Sequence, residues 1–177
     1  MYQSARQLIN SKVFDPDGRY VCKIKRAVID PNNGQVLGFV TSLPRPTNSL
    51  SLMDVADWKQ EYILLEDDYE FHQPDEIVRI NKALQAHCEL FGKSVRTESK
   101  QKLGFVTDYT LDIKNHLLMS ITAQKRFFHF FYYSGKIIHQ KNIVEITPRF
   151  VIVKDAMIKI PSAEKIQGKS IEHSPAI

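Results

Sequence analysis

Aromatic and basic side chains crowd one segment of this chain, AQKRFFHFFYYSGKIIHQ at residues 123–140. Exposed rings stack on nucleic-acid bases while neighbouring cations neutralise phosphates, so the combination suits nucleic-acid binding. It also suits a protein contact, in which aromatic side chains anchor the partner. The predicted partner-binding residues are Lys125, Arg126, Phe128, His129, Phe131, Tyr132, Lys136 and, from a different segment, Trp58.

Internal packing is a third interpretation of the aromatic segment. In a strand, side chains alternate between two faces, and residues 126–133 would then make both faces largely apolar. A small β domain of about 70 residues cannot hide so many rings, so the rest of the chain or a partner must cover them. Trp58 has a similar alternative, because it could pack as a lid over the fold instead of anchoring a partner.

The sequence offers little for catalysis. Gly-Lys-Ser occurs in FGKSV (91–95) and QGKSI (167–171), but a phosphate-binding loop needs a glycine five residues earlier, where His87 and Ala163 stand. The six histidines and two cysteines show no metal-ligand spacing. We therefore predict a protein that is not an enzyme, with no catalytic residue, cofactor, metal site or small-molecule substrate.

Two histidines occupy matching positions in short strings that resemble each other. His72 lies in FHQPDEIVRI (71–80) and His139 in IHQKNIVEI (138–146). They could form a pair of pH-sensitive or ligand-contacting groups, or each could bond a turn carbonyl before a strand. This match predicts that the first part of the chain carries a longer middle, in the proline-containing segment SLPRPTNSLSLMDVADWKQ at residues 42–60.

Composition and charge limit the classes of protein to which this chain can belong. Charged residues are 25% and hydrophobic residues 43%, which is typical of a soluble globular protein. Without a signal-peptide pattern, a bilayer-length apolar run or a disulfide framework, the chain is expected in the cytoplasm. Residues 1–92 hold 10 Lys/Arg against 13 Asp/Glu (−3), and residues 93–177 hold 14 against 7 (+7). A basic half favours an anionic partner, although a solvated positive face is the simpler explanation.

The chain also repeats itself at an offset of 82 residues. Residues 13–41 align without gaps on residues 95–123, and Asp30 matches Asp112. Each copy predicts a short strand, a long strand, a tight turn at DPNNG or DIKN, and a further strand. The two aspartates can accept hydrogen bonds from the amides of their own turns, so we assign them a structural role.

A helix is predicted between the copies, in PDEIVRINKALQAHCELFG at residues 74–92. Its apolar residues recur at helical spacing, which indicates an amphipathic helix that covers part of one copy. Residues 149–160, RFVIVKDAMIKI, predict a hairpin or a bent strand. The last residues show no periodicity and are predicted to form a flexible tail.

Together these segments resemble the PRC-barrel family, which is named for the cytoplasmic domain of the photosynthetic reaction-centre H subunit and includes the C-terminal domain of the ribosome-maturation factor RimM. The first copy departs from the family pattern at Cys22, where a glycine is usual. The matching residues are 11–15, 28–30 and 34–40 in the first copy, and 92–95, 102–108, 111–112, 143–146 and 151–155 in the second.

The resemblance implies a mainly β chain with two small PRC-type β-barrels in tandem, joined by an amphipathic helix. The expected divisions are a first barrel at 1–73, a linking helix at 74–91, a second barrel at 92–160 and a tail at 161–177. It also implies a non-enzymatic adaptor that mediates protein assembly, through a protein partner or self-association. RNA or ribosome association, as in RimM, is the alternative.

Overall fold

The chain is mainly β. The structure is a computed structural model that describes residues 1–44, 48–72, 77–127, 131–132 and 135–158. The strands are β1 (Tyr2–Ser4), β2 (Lys12–Phe14), β3 (Tyr20–Ile29), β4 (Val36–Thr41), β5 (Ser49–Ser51), β6 (Val55–Trp58), β7 (Tyr62–Leu65), β8 (Phe71–His72), β9 (Ser94–Thr97), β10 (Lys102–Asp112), β11 (Leu117–Gln124), β12 (Arg126–Phe127), β13 (Phe131–Tyr132), β14 (Lys136–His139), β15 (Ile143–Ile146) and β16 (Phe150–Val153). The α-helices are α1 (Ala5–Leu8) and α2 (Val78–Gln85), and 3-10 turns lie at Leu52–Asp54, Gln140–Asn142 and Asp155–Ile158.

The strands form two large sheets, one in each half of the chain. In the first half the order is β6-β7-β2-β3-β4-β5-β8, and in the second it is β14-β11-β10-β9-β16-β15. The long strands β3 and β10 pair with different neighbours along their length, and register shifts interrupt both ladders. Such bulges bend a strand and increase its twist. The sheets therefore curl, and they include a half-barrel.

The second half repeats the strand pairing of the first. Strands β2, β3 and β4 correspond to β9, β10 and β11 at the predicted offset of 82, as Val13 and Val95 do. The parallel pairs β2–β7 and β9–β16 then correspond at an offset of 88, which takes Ile63 to Val151. The offset grows by six residues between β11 and β14, so the aromatic segment is the longer connection. The predicted longer middle in the first half is therefore wrong.

The backbone conformation of the turns repeats at the same offset of 82 residues. Three pairs of residues 82 positions apart share a positive φ: Asn10 (74°) with Gly92 (73°), Gly18 (79°) with Lys100 (68°), and Gly34 (77°) with His116 (53°). The amide hydrogen bonds around these residues repeat as well. Asn10 donates to the carbonyl of Ile24 at 2.8 Å, and Gly92 donates to that of Val106 at 2.8 Å. The tight turns therefore have the same geometry whether or not glycine is present.

The proposed correspondence of His72 with His139 does not follow this pairing. His139 ends β14, which pairs with β11, and the strand in that position of the first half is β5, which ends at Ser51. His72 lies on β8, an additional strand that pairs with the outer edge of β5. The two histidines therefore occupy different places in the fold, and their shared His-Gln string is a coincidence of sequence.

Helix α2 is shorter than predicted. It begins at Val78 and ends at Gln85, and His87 follows with a φ of 48°. A left-handed residue just after the last turn ends a helix, so Cys88 and Phe91 lie beyond it. Ile80 and Ala83 of α2 pack on Val28 and cover the outer side of β3 and β4.

The residues beneath α2 differ in kind from their counterparts in the second half. The outward residues Val28, Gly38 and Val40 of the first half correspond to Thr110, Ser120 and Thr122 of the second. Hydroxyl side chains can hydrogen-bond, whereas the apolar residues of the first half gain from removal from water. The apolar side of the first half therefore gains from the cover that Ile80 and Ala83 of α2 provide.

The two halves share one continuous core and a reciprocal junction. The main buried cluster includes Val13 and Phe39 from the first half and Leu111 and Ile121 from the second. At the junction, Val36 donates its amide to the carbonyl of His116, and Leu118 donates to that of Gly34, each at 2.8 Å. These two bonds exchange under the offset of 82, as contacts do across a two-fold axis.

The N-terminal strand crosses between the halves. β1 (Tyr2–Ser4) pairs antiparallel with β10, so the first residues of the chain extend the sheet of the second half. The domain boundaries at 73/74, 91/92 and 160/161 stay a prediction. The hairpin or bent strand predicted for residues 149–160 is wrong in the part that the structure describes, because β16 ends at Val153 and a 3-10 turn follows at Asp155–Ile158.

Candidate contact surfaces

Within the aromatic segment, β12 and β13 form a small two-stranded sheet. The two strands pair antiparallel, with Arg126 opposite Tyr132 and Phe127 opposite Phe131. Lys125, which precedes β12, is exposed, and Lys136, on β14, is half-buried. The other two candidates of this segment, Phe128 and His129, lie outside the described residues. The role of these rings in partner binding stays a prediction.

Trp58 lies in the interior, at the contact of the two halves. It is 5% exposed, and its indole N–H donates to Oε1 of Gln3 at 2.9 Å. Its ring stacks on His116 of the second half, with centroids 6.0 Å apart and planes 5° apart. The edge of Phe39 meets it at 5.0 Å. In this position Trp58 holds β1, the first sheet and the turn of the second half together, and it offers no surface to a partner.

The outer side of strands β7, β2 and β3 carries a different set of rings and cations. Strand alternation turns Val13, Cys22 and Ile63 inward, where each is at most 1% exposed. The neighbours of these residues on β2 and β7, and Lys23 on β3, therefore point to the outside, and a register shift in the β2–β3 ladder brings Tyr20 opposite Phe14 on the same side. We call this surface the first strand face; it consists of Lys12, Phe14, Tyr20, Lys23, Tyr62 and Leu64.

The rings of the first strand face form one cluster. Phe14 lies between the other two, edge to face, with centroids 6.4 Å from Tyr20 and 6.2 Å from Tyr62. Tyr20 is 54% exposed and Tyr62 is 38% exposed. Because the three rings hold one another on adjacent strands, they present a rigid aromatic surface to solvent.

Two lysines lie beside this ring cluster. Lys12 and Lys23 are direct partners in the antiparallel β2–β3 ladder, and both are exposed. Tyr62 is the partner of Lys12 on its other side. Directly opposed side chains have Cβ atoms only about 4.5–5.5 Å apart, and like charges there are destabilising. The face therefore concentrates positive charge next to its rings.

The equivalent strands of the second half carry a second strand face. Strands β16, β9 and β10 place Phe150, Ser94 and Phe105 in one row, and Ile152 and Arg96 in the next, with Lys102 on the far side of Arg96. The guanidinium of Arg96 lies 3.8 Å from the ring centroid of Phe150, as a cation–π contact. Both halves thus combine rings and cations on the same three strands, although individual positions exchange rings for cations.

An open cleft continues the second strand face past Ser94 and Phe105. Its other lining residues include His87, Phe91, Lys93 and Arg149. Lys93 is 7% exposed, and its ammonium donates to three carbonyls, those of His87 (2.9 Å), Thr147 (2.8 Å) and Pro148 (2.9 Å). Burial lowers the pKa of Lys93. With its donors engaged, Lys93 fastens the walls of the cleft to each other.

A small, partly open pocket of about 50 Å³ lies where the segment after α2 meets β3 and β10. The backbone of Ala27 hydrogen-bonds the hydroxyl of Tyr109 at its wall, and burial raises the pKa of Tyr109. Arg26 forms an ion pair with Glu89 across the same contact. A volume of this size holds one or two waters. The contacts around it join the two halves.

The predicted turn aspartates are structural, as expected. Asp30 accepts from the amide of Asn32 at 3.0 Å, and Asp112 accepts from that of Lys114 at 3.0 Å. The side-chain amide of Asn115 also donates to Asp112, at 2.6 Å. This bond contributes most to lowering the pKa of Asp112, and the backbone amides of Asn115 and Lys114 add to it. Within the described part of the chain, no group of three or more His, Cys, Asp or Glu side chains is placed to hold a metal ion.

The strand faces were not predicted from the sequence, although a signal for them was present. Lys12 and Phe14 alternate with Val13, and Tyr62 and Leu64 alternate with Ile63, which is the period of a half-exposed strand. The rings are consecutive in sequence only in the aromatic segment, which made that segment the more conspicuous signal. Strand pairing brings together rings that are 48 positions apart in the chain, such as Phe14 and Tyr62.

Neither a protein-family model nor a curated protein sequence matches this chain. In the described ranges, no helix is both long enough and apolar enough to cross a bilayer.

Proposed function

We propose that this chain is a non-enzymatic interaction module that acts in the cytoplasm and binds a macromolecule through its strand faces. The observation that carries the proposal is the cluster of Phe14, Tyr20 and Tyr62, which stands on the outside of a sheet beside two exposed lysines. Aromatic side chains and cations in such an arrangement are typical of contact surfaces, where a few rings supply most of the binding free energy.

The shape of the face favours a large partner. It spreads over three strands as an open surface, whereas small-molecule sites are concave and enclose most of the ligand. Its rings are held by one another and by the sheet, so little conformational freedom is lost on binding. In this proposal the two halves are PRC-barrel-like units, and the junction between them fixes the distance between the two strand faces.

A recovery experiment tests the proposal. The chain is immobilised and incubated with native lysate, and bound protein and nucleic acid are both identified. We expect a bound macromolecule whose recovery is lost when Tyr20 and Tyr62 are both replaced by alanine. The matched control is Met53→Ala, which removes an apolar side chain that is 88% exposed and lies outside the face. Equal recovery by the wild type and the tyrosine variant would contradict the proposal.

A further inference from the structure

We propose that the partner of the strand faces is a single-stranded nucleic acid, whose bases stack on Tyr20 and Tyr62 and whose phosphates bind Lys12 and Lys23. This inference rests on the proposed function and names the ligand of the same surface. Stacking platforms beside cations are how proteins hold single strands without reading their sequence.

The first strand face offers contacts for both parts of a nucleotide, rings for the base and lysines for the phosphate. One row across the strands contains Tyr62, Lys12 and Lys23, and the next contains Leu64, Phe14 and Tyr20. An exposed ring thus lies at each side of the face, at opposite corners, with Phe14 between them. Lys12 is the strand partner of Tyr62, and Lys23 lies on the same strand as Tyr20. A strand that crosses the face can place a base on each tyrosine and its backbone on the ammonium groups.

The opposed lysines favour a polyanion over an uncharged partner. In the absence of a ligand, Lys12 and Lys23 repel each other across β2 and β3, which weakens the sheet. Among the described residues, no ion pair with a carboxylate relieves either ammonium group. A phosphate between them turns this repulsion into attraction and releases counterions from the nucleic acid.

The second half offers the same chemistry at the equivalent strands. Phe105 is 38% exposed beside the Arg96–Phe150 stack, and Lys102 is exposed in the adjoining row. Arg149 lies at the cleft that continues this face. Rings and cations on both faces give the chain two places to hold one strand, which raises the overall affinity through effective concentration.

The test measures binding of a labelled oligouridine of about 15 nucleotides, the upper range of site sizes for single-strand-binding folds. Tyr20→Ala and Tyr62→Ala should each weaken the affinity about 5- to 150-fold, the effect of losing one stacked base. Replacing Lys12 and Lys23 together by glutamine should reduce the slope of log affinity against log salt by about 1.4.

Matched controls separate the face from general charge and folding. Met53→Ala and the double replacement of Lys82 and Lys114 by glutamine change exposed residues outside both faces, and should leave oligouridine affinity within the error of the wild type. Circular dichroism and the melting temperature of each variant show that it is folded. A peptide of glutamates with equal charge should bind at least tenfold more weakly than oligouridine, because it cannot stack.

Three results would overturn the inference. The first is oligouridine binding that the tyrosine variants do not weaken, and the second is equal binding of the glutamate peptide. The third is recovery from lysate of a protein, with no nucleic acid, that still depends on Tyr20 and Tyr62; in that case the proposed function stands and the ligand class is wrong. If neither oligouridine binding nor recovery depends on the tyrosines, both proposals fail.

Discussion

The indole N–H of Trp58 donates to the buried amide oxygen of Gln3 at 2.9 Å, and this bond ties the first sheet to the strand that extends the second. Gln3 is 1% exposed, and its Nε2 donates in turn to the carbonyl of Gln60 at 2.6 Å. The amide of one glutamine is thus satisfied on both sides inside the protein. A buried polar group is stable only while its partners remain.

Trp58→Phe should therefore destabilise the protein by about 1–3 kcal/mol, because the oxygen of Gln3 loses its donor without access to water. The phenylalanine keeps a ring against Phe39 and His116, so the loss combines the hydrogen bond with the smaller volume of the new ring. Chemical denaturation gives the free energy of unfolding. Gln101→Ala, at an exposed position, is the control and should change it by less than about 0.5 kcal/mol. A Trp58→Phe variant as stable as the wild type would contradict this account.

Lys100→Gly should stabilise the protein. Lys100 adopts a φ of 68° at the turn where its counterpart, Gly18, has 79°, and a left-handed conformation costs a side-chain-bearing residue about 1–2 kcal/mol. The greater freedom of glycine in the unfolded chain offsets part of this gain, so we expect about 0.5–1 kcal/mol. The measurement is the melting temperature. The control is Lys102→Gly on β10, which should be destabilising; a decrease for Lys100→Gly would refute the strain argument.

Lys93→Met should alter how stability depends on pH. Burial lowers the pKa of Lys93 in the folded protein, whereas the unfolded chain keeps a pKa near 10.4. Between these two values the unfolded state binds the proton that the folded state has lost, so this lysine makes stability rise with pH. We expect the difference in unfolding free energy between the wild type and the variant to increase from neutral pH towards pH 10.

The pH experiment contains its own control, because other groups titrate in the same range. Burial raises the pKa of Cys22 to about 11, and unfolding therefore releases its proton above pH 9, which lowers stability there. Both proteins share this effect, so it cancels in the difference. A difference that stays constant from neutral pH to pH 10 would show that Lys93 has no lowered pKa.

Lys23→Glu should stabilise the β2–β3 ladder while abolishing the contact that we propose for the first strand face. Glutamate opposite Lys12 replaces a repulsion by an attraction, and cross-strand pairs of opposite charge contribute about 0.2–1 kcal/mol. Thermal unfolding measures the gain, and oligouridine affinity measures the loss. Lys82→Glu, on the exposed side of α2, is the matched control for net charge. If stability falls with Lys23→Glu, the opposed lysines do not repel each other.

The mainly β class and the first part of the repeat could be predicted from sequence, because they depend on local signals. The turns at Asp30 and Asp112 need particular residue types, and these types recur at a fixed offset. The correspondence of His72 with His139 failed, because a short shared string says nothing about which strands pair. The predicted length of α2 was wrong for a related reason. Apolar residues continue at helical spacing to Phe91, although the backbone leaves the helix at His87.

The contact surface was harder to predict than the fold. Whether Phe14 faces the core or solvent depends on which neighbours of β2 are buried, and those neighbours are remote in sequence. For Trp58 the sequence left both exposure to a partner and burial open, and the structure shows burial. The residues that bury it, Gln3 and His116, come from the N-terminal strand and from the second half of the chain.

The exchange of hydrogen bonds between Gly34 and Leu118, and between His116 and Val36, is self-complementary. Two equivalent turns that satisfy each other would dock in the same way if they belonged to separate molecules, which is how symmetric dimers are built. Joining them in one polypeptide replaces a concentration-dependent association by an intramolecular one, with an effective concentration in the millimolar range for a short connection. The joined form also frees each half to diverge, as Val28, Gly38 and Val40 in one half and Thr110, Ser120 and Thr122 at the same positions of the other show.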